Sequence, residues 1–287
     1  MGPRTRSSQA KFKNDLLQYY GAAIMQTNKP KVIRLIHDTA TGYDLIVSSI
    51  TAAHLFPHKL GPDVLVALFG EDVEGELMTA RSGLLLERDV ESALDDGAIA
   101  IVPDLPDDPS SEQVAKWEEE DPKNYRWRVI DDDADSLNTV IIPQNSSDTP
   151  KDITIRDLDG QKLSFKNDNR PRARYLYFLY VVAQLKMAWR HDYRNDPAKK
   201  LKSQLGKSFW ATRGRYLNRA LLLALAEEIG HDTSFSDNIP PLPGSDNNQP
   251  AQSDGSDDGD DEVGLLAIAK IIGAEGCSED EDEEDEE

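Results

Sequence analysis

Apolar residues recur along the chain at intervals that change, and each change marks a new element. Phe12, Leu16, Tyr19, Tyr20 and Ile24 fall three and four apart, which predicts a helix over residues 11–27. After Pro30 the runs KVIRLIHD and TGYDLIVSSITAAHL are rich in β-branched residues and read as strands, with Gly42 and Asp44 supplying a turn. DVLVALFG (63–70) reads as a helix stopped by Gly70, and ERDVESALDDG (87–97) as a short helix stopped by Gly97. AIAIVP, YRWRVID, NTVIIP, DITIRD and KLSF then read as strands between polar turns.

The pattern changes at Asn169. Pro171 suits a first helical turn, and Tyr175, Phe178, Val182, Leu185 and Trp189 form a stripe of helical period, the mark of core packing. Asp196-Pro197 opens a further helix ended by Gly206, and RYLNRALLLALAEEIG a third, closed by Gly230. Residues 231–262 are dominated by Ser, Asp, Asn, Gly, Pro and Gln, too polar to offset the entropy of ordering. An apolar island, VGLLAIAKIIG (263–273), is a possible docking segment for a protein partner, or a stray helical stretch in a tail. The expected organisation is an N-terminal basic helix (1–30), a mixed α+β domain (31–165), a basic helical extension (166–230) and a disordered acidic tail (231–287).

Charge sharpens this division. The chain of 287 residues has a formal net charge of −21. That balance alone argues against a simple polyanion binder. Residues 166–219 nevertheless hold fourteen basic against three acidic side chains, a surplus of +11, whereas residues 253–287 hold one against sixteen. A concentrated basic stretch suits phosphate binding, through Arg170, Arg172, Arg174, Arg190, Arg194, Lys199 and Lys200. Helix faces balancing the acidic middle segment explain the same numbers. The single cysteine, Cys277, excludes an intramolecular disulfide and suits a reducing compartment. With no signal-like N-terminus and no run of eighteen apolar residues, the expectation is an intracellular protein, nuclear or cytoplasmic, without a membrane partner.

No phosphate-binding glycine loop, nucleophile elbow or paired-cysteine metal motif is present. Of the five histidines, His54 stands in the most suggestive context, SITAAHLFPHKLG, at a strand end before a Pro-interrupted loop. Taken in order, TGYDL (41–45), AAHLFP (52–57), ARSGLLL (80–86), ESALDDG (91–97) and IAIVPD (99–104) resemble the HNH endonuclease family, in particular its fungal members with a basic helical extension. The likeness takes in DPKNYRWRVID (121–131) and RPRARYLYFLY (170–180) as well.

The resemblance implies a ββα-metal core with extra strands, one Mg²⁺ or Mn²⁺, and hydrolysis of a phosphodiester bond in nucleic acid, DNA being expected. It makes His54 the general base and puts Ser82 where relatives carry the Asn that orients that base. Glu91 falls at the position of the metal-binding His, and Asp95 or Asp96 would add an oxygen ligand one turn on. Ala53 replaces a residue that is acidic in many relatives. No cysteine precedes the Thr-Gly turn in IHDTATG, so no structural zinc carries over. One of three signature residues is retained, which leaves three readings: an HNH-type endonuclease, a catalytically degenerate HNH fold that binds nucleic acid or protein, or an acidic interaction protein of another kind. His58 is a loop residue that could contact substrate, and His37 carries no assigned role.

Overall fold

In a computed structural model of the chain, residues 6–28, 31–143, 152–190, 210 and 216–217 are described. The chain opens with α1 (Arg6–Tyr20), whose Phe12, Leu16 and Tyr20 lie one turn apart and are buried. Gly21, at φ 61°, ends it. The predicted helix over 11–27 is therefore too long. Ile24 belongs not to the helix face but to β1 (Ala23–Asn28), where it pairs with Leu35 of β2 (Lys31–His37). β3 (Asp44–Ile46) completes an antiparallel sheet in the order β1-β2-β3.

A second antiparallel pair follows. β4 (Ile50–His54) and β5 (Gly83–Glu87) run in register from the His54–Gly83 pair to the Ile50–Glu87 pair. The long excursion between them holds α2 (Gly61–Phe69), stopped at Gly70 as the sequence predicts, and several single 3₁₀ turns. α3 (Arg88–Asp95) leaves β5 directly. The Glu87 carboxylate accepts hydrogen bonds from the N–H groups of Asp89 and Val90, satisfying donors that a helix start leaves open. Gly97, at φ 76°, turns the chain toward the next strand, and a Cβ there would lie 3.0 Å from the Ala183 backbone.

β6 (Ile99–Pro103) is wholly buried and pairs antiparallel with β7 (Tyr125–Val129). Between them stands α4 (Ser111–Glu119), a helix the hydrophobic pattern does not announce, because only Trp117 on it is buried. Its signal is polar. Ser110 and Gln113 form a capping box. β8 (Val140–Ile142) pairs with β9 (Ile153–Thr154). The rest of DITIRD winds into a 3₁₀ turn over Ile155–Leu158, and KLSF supplies one isolated bridge, Lys162 to Arg126, instead of a strand.

α5 (Ala173–Arg190) is the central strut. Tyr175, Phe178, Val182 and Leu185 are buried as the stripe predicts, but so are Leu176, Tyr177, Leu179, Tyr180, Ala183, Gln184 and Met187 between them. The reason is packing on several sides. Phe178 and Tyr175 meet Phe56 and Phe69, Ala183 approaches Gly97, and Tyr177 packs on Trp210. The helix predicted from Asp196, most of the one around residues 215–230, the acidic tail and the 263–273 island lie outside the described residues.

Candidate active site

The elements that carry the motif form one unit. β4 delivers His54 at its C-terminal end, β5 runs back beside it, and α3 follows without a loop. His54 is half-buried, and its ring faces α1. Phe12 stacks on the imidazole with centroids 4.0 Å apart and planes 3° from parallel. Gln9, one turn earlier, places Oε1 3.4 Å from His54 Nε2 and its amide nitrogen 3.4 Å from the carbonyl oxygen of Ala52. Lys13 donates to the carbonyls of Val47, in the 3₁₀ turn before β4, and of Ile50, at the start of that strand. Burial and the nearby Arg88 guanidinium pull its ammonium below the usual lysine range.

The glycine in ARSGLLL is explained by this helix. A Cβ on Gly83 would lie 2.4 Å from Phe12 Cζ and 2.8 Å from the Ala53 carbonyl oxygen. At φ −148° the backbone is extended and open to any residue, so the constraint is steric. Tyr20 adds a further tie, its hydroxyl donating to the Gly83 carbonyl at 2.9 Å. Neither Gln9 nor Phe12 belongs to the motif read from the sequence. Their spacing of three on one face of a helix is the signal, and it says nothing of a partner more than forty residues away.

Ser82 is almost fully buried, with 1% of its surface exposed. Its hydroxyl lies 2.9 Å from the Leu77 carbonyl oxygen and 2.8 Å from that of Thr79, so its one proton is committed to its own turn. Its own carbonyl accepts from the Leu55 N–H at 2.8 Å, which fixes the backbone just past His54. Ser82 thus holds the strand end through main chain. Glu91 is half-buried on the first turn of α3, and Asp95 is exposed one turn on. α3 begins after Glu87, four ladder steps from the His54–Gly83 pair, about 13 Å of strand at ~3.3 Å per residue. Among the described residues no three His, Cys, Asp or Glu side chains are grouped so as to hold a metal ion.

Two further histidines are accounted for. The His58 ring lies 5.6 Å from that of His54, centroid to centroid. His37 is buried, its ring nitrogens 3.0 Å from Asp44 and 3.1 Å from the Ser164 hydroxyl. Asp38, next to it, is a buried knot. Its carboxylate accepts from the N–H groups of Ala40, Thr41 and Glu87 and from the Thr41 hydroxyl, so one side chain ties the β2–β3 turn to the start of α3. Burial raises its pKa above the usual carboxylate range, against those hydrogen bonds. Glu87 is raised too, chiefly by burial.

The basic residues named for nucleic acid divide. Arg170 donates to the carbonyls of Lys123, Asn167 and Asn169 and lies 4.2 Å from the Phe165 ring. Arg172 pairs with Glu76 at 2.6 Å, and Tyr175 donates to the same carboxylate at 2.7 Å. Arg174 forms a two-pronged pair with Asp72. These three guanidinia tie the start of α5 to the excursion before β5 and to the loop before β7. The Arg190 side chain, Arg194, Lys199 and Lys200 lie outside the described residues.

Residues 27–102 match the family described as HNH endonuclease. The match begins in β1, contains the whole β4–β5–α3 unit with His54, Ser82 and Glu91, and ends in β6. α1, β7 and α5 fall outside it. No curated protein matches the chain, and no solved structure does. No described helix is long and apolar enough to cross a membrane.

Proposed function

We propose that the protein is an HNH-type, nuclease-like protein that acts on nucleic acid, with His54 as the proton acceptor in hydrolysis of a DNA phosphodiester. One observation carries this reading. The match to HNH endonucleases coincides with a hairpin–helix unit that has an imidazole at its strand end. An imidazole suits the step because its ordinary pKa lies near neutral pH, so it can take a proton from an attacking water.

The family implies one Mg²⁺ or Mn²⁺. Glu91 and Asp95 are hard oxygen donors of the kind those ions prefer, and one or two carboxylates beside waters and substrate phosphates suffice for Mg²⁺. Glu91 and Asp95 are the residues that would hold the ion, and among the described residues no cluster of three candidate ligands stands in their place. The commitment of the Ser82 hydroxyl to Leu77 and Thr79 favours a second reading, a fold that binds nucleic acid or protein without cutting. Plasmid nicking by the full chain with Mg²⁺ and with Mn²⁺, beside His54→Ala, separates the two. Nicking by wild type that His54→Ala abolishes supports hydrolysis. Equal inertness of both proteins, with retained binding to duplex DNA, supports the binding module.

A further inference from the structure

We propose that Gln9 and Phe12 of α1 position the His54 imidazole, doing from an N-terminal helix what the family assigns to the residue at 82. The inference rests on His54 being the proton acceptor. It begins with the Gln9 amide, whose two ends are told apart by their neighbours. The amide nitrogen can only donate, and it faces the Ala52 carbonyl, which can only accept. The oxygen is then the end that faces His54 Nε2. An amide oxygen accepts, so Nε2 carries the hydrogen and the neutral ring keeps its lone pair on Nδ1. A single tautomer is selected. The tautomer decides which nitrogen is basic, here Nδ1, an atom buried in this structure.

Phe12 fixes the plane. Its ring lies flat on the imidazole and is 1% exposed, and behind it the missing Cβ of Gly83 leaves only enough room for the ring itself. Gln9 and Phe12 stand three residues apart on the face of α1 that meets β4 and β5, so one helix contributes both contacts. The Ser82 hydroxyl cannot donate to the ring, its proton being spent on its own turn. α1 lies outside the matched residues 27–102, so this chain brings its own helix to the site.

The test is ¹⁵N-histidine NMR on the full chain, with the His58→Ala spectrum used to assign the neighbouring imidazole. In wild type, neutral His54 should carry its proton on Nε2. Gln9→Leu should give mixed tautomers, and Gln9→Glu should raise the His54 titration midpoint by about one unit, because a carboxylate there favours imidazolium. Phe12→Leu should broaden the His54 signals while Gln9 still selects the tautomer. Unchanged tautomer in Gln9→Leu together with an unchanged midpoint in Gln9→Glu overturns the proposal. Nicking assays on the same proteins keep the two readings apart. If wild type cuts, Gln9→Leu should cut about ten- to a hundredfold more slowly, part of the ~10²–10⁴ that a positioned base supplies. Spectra that move as expected in a protein that never cuts leave the positioning intact and remove the hydrolysis. Full cutting by Gln9→Leu with unchanged spectra removes the positioning and leaves the hydrolysis.

Discussion

Gly83→Ala tests the packing of α1 on the hairpin with a single methyl group. The added carbon would sit 2.4 Å from Phe12 Cζ and 2.8 Å from the Ala53 carbonyl oxygen, both inside any tolerable contact. The ring can retreat only by leaving the imidazole it stacks on, and the carbonyl belongs to the β4–β5 ladder. The backbone angle contributes nothing to the penalty, since φ is −148°. Overpacking of this kind costs about 1–3 kcal/mol, and the upper half of that range is expected because one partner is backbone. Urea unfolding followed by circular dichroism measures the loss. Phe12→Ala on its own should cost about 3–5 kcal/mol as a cavity. The double variant should cost less than the sum, because Gly83→Ala then meets only the carbonyl, and a coupling of at least ~1 kcal/mol is expected. A Gly83→Ala protein within about 0.5 kcal/mol of wild type, the ordinary scatter for a neutral surface change, would refute this account of the interface.

Asp38→Ala leaves the buried N–H of Glu87 and those of Ala40 and Thr41 without their acceptor, and should cost about 2–3 kcal/mol in the same unfolding assay. Asp38 and Glu87 are both raised above their usual 3.8 and 4.5, so the native state holds protons that the unfolded chain has released. Stability should therefore fall as pH rises from about 4 through their folded-state values, and Asp38→Ala should flatten that part of a denaturation profile. Glu76→Ala removes the partner of both Arg172 and the Tyr175 hydroxyl and should lower stability by about 1–3 kcal/mol. Arg172→Ala should lower the melting temperature while leaving the salt slope of duplex DNA binding unchanged, because its guanidinium is held within the chain. A slope shallower by about one, read from binding at several salt concentrations, would put Arg172 on phosphate instead.

Most of the elements from Lys31 to Pro103 were legible because burial there follows chain-local patterns. β4 falls in a run that reads as a strand, Gly70 and Gly97 mark the ends of α2 and α3 by positive φ, and β5, within ARSGLLL, is the strand in this span that the pattern does not announce. The errors arise where a local pattern has two solutions. Ile24 continues the helical spacing of Phe12, Leu16 and Tyr20 but also suits a strand, and pairing with Leu35 decides it. α4 escaped because a helix with one buried residue leaves no stripe, although Ser110 and Gln113 announce it through capping chemistry. At the site, His54 was legible as a strand-end imidazole. Gln9 and Phe12 were not, since nothing local distinguishes a polar helix residue that meets a distant carbonyl from one that meets water.

The burial of α5 on nearly every side bears on how the chain can be cut. Lys186 donates to the Asp95 carbonyl at 2.7 Å, and the Gly97 turn leaves no room between itself and Ala183, so the helix closes over the exit of α3. Phe56, two residues past His54, rests on Phe178. A fragment covering only residues 27–102 would lose this roof and the α1 floor together, exposing Phe56, Leu84, Leu85 and Leu86 to water. The matched segment is thus a passage within a larger folding unit, and an excised copy should aggregate where the full chain stays monodisperse.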